Sequence, residues 1–172
     1  LNYTTIKIGG CTEFFAEPRS ISEFIEYMKW AKLNNLKYRI IGAGSNLLIK
    51  DIFHEGLTIC TRKLKKIKIN KLSGYVEAEC GVMLPTMANL LAKSGCQGGE
   101  WLIGIPGTIG GAVFMNAGSS NLWTSKYLLS VQVLDIKNLQ IYEINKENLI
   151  FKYRFSSFQI NKFVVLTANF MF

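Results

Sequence analysis

Histidine, cysteine pairs and acidic side chains are scarce in this chain, and each shortage narrows what it can be. One histidine, His54, stands in 172 residues. It falls within Asp51-Ile52-Phe53-His54-Glu55-Gly56, which reads as a surface turn. Cys11, Cys60, Cys80 and Cys96 are scattered, with no Cys-x-x-Cys pair. No metal site is therefore expected, and the cysteines read as reduced, small core residues. No segment offers 18 uncharged apolar residues, and no signal-peptide pattern opens the chain. The expectation is a soluble, cytoplasmic protein with no membrane partner. There is no internal repeat and no low-complexity linker. Nearly half the residues are apolar, which supports a substantial core and argues against disorder. The length suits one domain, or two small lobes sharing a ligand.

The shortage of acid leaves a net charge of +8 and a pI near 9.4. Nucleic-acid binding needs a stripe of Lys and Arg with stacking aromatics. The one dense basic run is Arg62-Lys63-Leu64-Lys65-Lys66-Ile67-Lys68. Its Lys66 to Asn70 portion alternates like a half-exposed strand, with the charges on the wet face. No nucleic-acid partner is expected. A basic surface still attracts acidic ligands such as nucleotide diphosphates.

Glycine is concentrated in two places. Gly104-Ile105-Pro106-Gly107-Thr108-Ile109-Gly110-Gly111-Ala112-Val113-Phe114-Met115-Asn116-Ala117-Gly118 carries no charge. Glycine gives up burial and costs entropy, so such density suits a backbone that bends sharply or approaches a large ligand. Pro106 fixes one turn angle in advance. Upstream, the apolar run Tyr38-Arg39-Ile40-Ile41 leads into Gly42-Ala43-Gly44-Ser45-Asn46-Leu47-Leu48. Two glycines, a hydroxyl and an amide at a strand end can form a backbone nest for a phosphate. The dinucleotide fingerprint is not met, because its third glycine is missing and no helix pattern follows; no Gly-Lys-Ser/Thr marks a P-loop either.

Together these stretches resemble the flavin-binding part of the UDP-N-acetylenolpyruvoylglucosamine reductase family. Thr4-Thr5-Ile6-Lys7-Ile8-Gly9-Gly10 resembles the family's opening segment, and Gly42 to Leu48 its pyrophosphate loop. Glu100 to Ala112, with Met115-Asn116-Ala117-Gly118, resembles its flavin-ring segment. Tyr153-Arg154-Phe155-Ser156 resembles its Tyr-Arg-x-Ser signature. The likeness implies noncovalent FAD, with NADPH as hydride donor and a UDP-sugar enolpyruvyl ether as substrate. It implies that Gly42, Ala43, Gly44, Ser45, Asn46 and Leu47 cradle the pyrophosphate. Pro106, Gly107, Thr108, Ile109, Gly110 and Gly111 would wrap the flavin, with Asn116 near the same pocket. Arg154 would be catalytic, and Tyr153 would orient it or border the substrate.

Two departures from the family pattern stand out. After Asn116-Ala117-Gly118 the chain reads Ser119-Ser120-Asn121-Leu122-Trp123, where the family has a small residue, an aromatic or His, and another Gly. The family's Gly-Ser-x-Phe-Lys-Asn-Pro segment, with its proton-donating serine, and its late glutamate have no counterpart here. The expectation is the flavin-binding portion of a longer protein or a truncated gene. Two other readings stay open: a FAD-linked oxidase of the same fold with another substrate, and a non-catalytic nucleotide-binding remnant.

The expected fold class is α+β, with the two-lobed FAD-binding fold of the vanillyl-alcohol-oxidase/PCMH type implied by the resemblance. Residues 1–62 form a first lobe of mixed strands with a crossover helix. Residues 63–172 form a second lobe, mainly antiparallel sheet with helices. Ser20-Ile21-Ser22-Glu23 is a capping box, followed by Ile21, Phe24, Ile25, Met28 and Ala31 at helical spacing. That helix should end near Asn34-Asn35. Strands are expected at Tyr38 to Ile41 and Leu57 to Cys60. A hairpin should pair Lys66 to Asn70 with Tyr75 to Cys80 across Ser73-Gly74. A second helix spans Leu84 to Lys93, with Pro85 in its first turn and Gly95 at its end. A second hairpin pairs Leu129 to Asp135 with Gln140 to Asn145, Lys146 to Leu149 makes a helical turn, and Phe163 to Phe172 is the last strand.

Overall fold

A computed structural model of the chain describes residues 3–172. The first lobe contains β1 (Thr12–Ala16), α1 (Ile21–Leu33), β2 (Tyr38–Ile41) and β3 (His54–Cys60). All three strands run parallel, in the order β1-β3-β2. Parallel strands require crossovers: α1 lies between β1 and β2, and the segment 42–53 leads from β2 to its neighbour β3. Ser20 caps α1, its Oγ accepting from the Glu23 N–H at 3.1 Å. Glu23 reaches back to the Arg19 N–H at 2.7 Å, one residue beyond the cap itself. Phe24, Met28 and Ala31 are fully buried, so the helical stripe is core. Asn34 ends the helix, and Asn35 turns the chain at φ 51°.

The second lobe contains β4 (Ile67–Ile69), β5 (Tyr75–Glu79), α2 (Leu84–Lys93), α3 (Ile109–Met115), β6 (Gly118–Ser119), β7 (Leu122–Trp123) and α4 (Thr124–Tyr127). It continues through β8 (Leu128–Asp135), β9 (Ile141–Asn145), β10 (Phe151–Lys152), β11 (Phe155–Ser156) and β12 (Phe163–Met171). Five strands form an antiparallel sheet in the order β4-β5-β12-β8-β9. The last strand, the most apolar, lies at its centre, antiparallel to both β5 and β8. The β4–β5 turn is tied by Asn70 Oδ1, which accepts from the Leu72 and Ser73 N–H groups, and Gly74 provides φ 75°. One continuous core joins Phe24, Met28 and Ile59 to Val76, Leu91, Val133, Leu166 and Phe170.

Several expectations need correction. His54 is the first residue of β3 and not part of a surface turn; its Nε2 lies 2.9 Å from the Lys50 carbonyl. Cys60 and Cys80 are buried as expected, but Cys11 is exposed and Cys96 only half-buried. The glycine-rich segment holds a helix, α3, which is not among the elements expected from the sequence. The atypical Ser119–Trp123 stretch is the tight β6–β7 ribbon, turned by Ser120 at φ 53° and Asn121 at φ 64°. Two successive left-handed residues give the turn twist that suits short hairpins.

Candidate active site

The two glycine segments, 66 residues apart in sequence (Gly42 to Thr108), meet in the fold. A Cβ built on Gly42 would lie 2.4 Å from Thr108 Oγ1. The loop after β2 therefore needs glycine at 42 to lie against the loop that opens α3. Behind it, Thr61 Oγ1 donates to the Ile41 carbonyl at 3.2 Å, and Cys60 Sγ sits 3.6 Å from the Gly42 carbonyl. Burial pushes the Cys60 thiol above its ordinary range. It remains a neutral packing group.

Gly44 is held more tightly still. Its φ is 65°, and a Cβ there would stand 2.1 Å from the Tyr3 carbonyl oxygen. The opening segment lies across the loop as a strap. The Thr5 N–H reaches the Gly44 carbonyl at 3.3 Å, and the Gly10 N–H reaches the Lys50 carbonyl at 3.1 Å. Tyr3 anchors the strap by donating its hydroxyl to Glu17 at 3.0 Å, and Lys63 pairs with the same carboxylate at 3.2 Å. The Glu17 contact raises the Tyr3 pKa.

The carbonyls of Gly42 and Gly44 have partners in this loop, whereas its donors do not. Among the described residues, the main-chain N–H groups of Ala43, Gly44, Ser45, Asn46 and Leu47 have no hydrogen-bond acceptor. The same holds for Gly107, Thr108 and Gly111. Unpaired donors thus stand on two touching loops, and backbone groups left without partners need an anion or water. Gly107 adds space: at φ 132° it has no atom within 4 Å of a built Cβ, and neither has Gly104.

The rest of the segment is less available. Ile109 is fully buried, and its N–H donates to the Val82 carbonyl at 2.9 Å. The Gly110 N–H donates to the Cys80 carbonyl at 2.8 Å, and a Cβ on Gly110 would meet Cys80 Cβ at 2.9 Å. Both residues turn inward and anchor α3 to the core. Pro106 and Gly111 are exposed and Gly107 is half-buried, whereas the Thr108 side chain is buried against Gly42 and leaves only its main-chain N–H as a candidate contact. Asn116, at φ 43°, ends α3. Its Oδ1 accepts from the Ser125 N–H at 3.1 Å, and its Nδ2 donates to the Lys152 carbonyl at 3.0 Å. That amide holds three pieces of chain together.

Tyr153 and Arg154 form the exposed turn of the β10–β11 hairpin. Arg154 adopts φ 52°, and its guanidinium lies over the Tyr153 ring at 5.4 Å. Among the described residues Arg154 has no carboxylate partner. The hairpin docks on the C-terminal end of α3, where Ser156 Oγ donates to the Phe114 carbonyl at 2.6 Å. One short helix thus begins at the donor-rich loops and ends under the free arginine. Gln159, which nothing in the local sequence marks, joins that junction. Two surface cavities, about 410 and 460 Å³, include neither the glycine loops nor the Arg154 turn, though the first is lined in part by Ser125.

Over 171 residues the chain is 58% identical to a UDP-N-acetylenolpyruvoylglucosamine reductase of Prochlorococcus marinus, covering 99% of this chain and 58% of that protein. A Synechococcus protein of the same name is 42% identical, over 98% of this chain and 56% of its own length. The chain therefore spans a little over half the length of these relatives. The crystal structure of UDP-N-acetylenolpyruvylglucosamine reductase from Thermus caldophilus superposes with a TM-score of 0.76 at 30% identity, covering 96% of this chain and 57% of that one. A 6-hydroxy-D-nicotine oxidase from Arthrobacter nicotinovorans shares the fold at TM-score 0.70 and 13% identity, over 96% of this chain and 37% of its own. The fold is the expected α+β, two-lobed flavoprotein type. No helix among the described residues is long and apolar enough to cross a membrane. A family model described as FAD binding domain matches residues 12–144, and the chain belongs to that family.

Proposed function

We propose that this chain is the flavin-binding part of an enzyme that reduces UDP-N-acetylglucosamine enolpyruvate to UDP-N-acetylmuramate with NADPH. The observation that carries the reading is the junction at Gly42 and Thr108. There, two sets of unpaired N–H groups meet beside open space, and the helix leaving that junction ends beneath Arg154. A cytoplasmic site goes with a nucleotide-sugar substrate.

The residues fit FAD. Backbone N–H groups of Ala43, Gly44, Ser45 and Asn46 would hold its pyrophosphate, with the Ser45 hydroxyl and Asn46 amide adding donors. The side-chain-free positions at Gly104 and Gly107 leave room for a flat ring system. When bound and reduced, the flavin supplies the hydride.

The remaining work falls to charge. Hydride arriving at the enolpyruvyl double bond drives negative charge toward the adjoining carboxylate. A guanidinium binds that carboxylate more strongly as the charge grows, and only such differential binding lowers the barrier. Arg154 is always protonated and can grip both oxygens in parallel. With no competing carboxylate, it is free to do so. The Tyr153 ring beneath it limits its swing.

The test uses the full-length, FAD-loaded enzyme and separates the half-reactions by stopped flow. Arg154→Ala should leave FAD binding and flavin reduction by NADPH largely unchanged. Reoxidation by the enolpyruvyl substrate should slow on the order of 100-fold or more. Acid precipitation should release all the flavin. Reoxidation at the wild-type rate would make Arg154 structural, and flavin retained in the pellet would point to a covalently linked oxidase.

A further inference from the structure

The Tyr153-Arg154 turn is held by a side chain that lies outside the Tyr-Arg-x-Ser pattern. Gln159 Nε2 donates to the Arg154 carbonyl at 3.1 Å and to the Phe114 carbonyl at 3.2 Å. It also rests 3.6 Å from Met115 Sδ. Phe114 is the penultimate residue of α3, and the last carbonyls of a helix have no partner within it. Ser156 Oγ reaches the same carbonyl. One amide therefore ties the end of α3 to the backbone of Arg154. That backbone is left-handed, a conformation a long side chain keeps only when its surroundings impose it.

We propose that Gln159 is a positioning residue for Arg154. It fixes the turn against α3 and so fixes where the guanidinium stands relative to the loops at the other end of that helix. The proposal rests on the catalytic reading of Arg154. An arginine on an exposed hairpin turn has a flexible stem, and its placement depends on the backbone from which it springs as well as on the Tyr153 ring beneath it. Gln159 supplies that anchorage at the carbonyls of Arg154 and Phe114. Loss of placement at the scale of an ångström is costly to the chemical step even when binding survives.

The experiment is a double-mutant cycle in the full-length, FAD-loaded enzyme. Gln159→Met keeps the length of the side chain and removes both donors. The residue is exposed, so folding should tolerate the change. FAD binding and flavin reduction by NADPH should match wild type, and reoxidation by substrate should slow about tenfold. On an Arg154→Ala background the same substitution should cost nothing further, because its effect passes through the arginine. Equal slowing on both backgrounds would make Gln159 a general packing residue and overturn the proposal. So would an unchanged rate in Gln159→Met when Arg154→Ala is slow. Failure of the catalytic reading is seen separately, as an unchanged rate in Arg154→Ala alone. Should the methionine variant not fold, Gln159→Glu, which sets a carboxylate against both carbonyls, must give the same pattern.

Discussion

Replacing Gly42 with alanine should push apart the two loops that carry the unpaired donors. The added methyl would lie 2.4 Å from Thr108 Oγ1 and 3.3 Å from its Cγ2, whereas ordinary contact begins at 3.4 Å. The loops must separate by about an ångström at this junction. Overpacking of this kind costs about 1–3 kcal/mol, so chemical denaturation should show a loss in that range. The same displacement moves the donors of Ala43 to Leu47 away from those of Gly107 and Thr108, and FAD affinity should fall about tenfold or more. The partner change isolates the cause. Thr108 precedes α3 but its side chain makes no capping hydrogen bond, so Thr108→Ala costs no cap. In Gly42→Ala/Thr108→Ala the nearest Thr108 atom left is Cβ, at 3.4 Å, and both stability and affinity should recover most of what was lost. Urea unfolding and FAD titration by flavin fluorescence read the two quantities. If Gly42→Ala is as stable and binds as tightly as wild type, or if the double variant loses the sum of the single losses, the two loops are not in the steric contact argued here.

Two further outcomes are expected. Gly44→Val should weaken FAD binding more than Gly42→Ala and also loosen the strap, because it meets the Tyr3 carbonyl and requires φ 65°; limited proteolysis near residues 3–10, alongside FAD titration, reads both effects, and an unchanged digestion pattern with unchanged affinity would count against it. Stability should fall above pH 9, because burial pushes the Cys80 thiol up to about 12. The unfolded chain then releases a proton that the folded chain keeps, so the Cys80 contribution is complete below pH 9. It is lost toward pH 12 at roughly 1.4 kcal/mol per pH unit. Urea unfolding of wild type and Cys80→Ala in reducing buffer checks this, and identical slopes above pH 9 would refute it.

The local elements were legible from neighbours in the sequence. Ser20 and Glu23 specify the start of α1, and Asn34 its end, because a cap is satisfied by groups three or four residues away. Pro85 and the apolar spacing after it mark α2 over the expected Leu84–Lys93. Asn70 to Gly74 define their turn by side-chain bonds within three residues. Candidate ligand loops were legible too, since dense glycine without charge has few other uses.

What the tertiary structure decided are the relations between distant segments. Helix α3 has no apolar periodicity strong enough to outweigh Gly110 and Gly111, which local propensity counts against it. It forms because Ile109 and Gly110 donate to the Val82 and Cys80 carbonyls, and because glycine at 110 permits that close approach. The sequence does not show that the Asn116 amide bonds Ser125 and Lys152, partners that meet it only once the chain has folded. The pairing of Gly42 with Thr108, and the docking of the Arg154 turn on Phe114, depend on burying one core shared by both sheets. The sequence by itself determined the caps, the turns and the two glycine loops, which short-range hydrogen bonds and backbone sterics control. Only the tertiary structure decided that those loops touch and that a free arginine stands at the end of the same helix, because burial of apolar surface sets contacts between residues far apart in the chain.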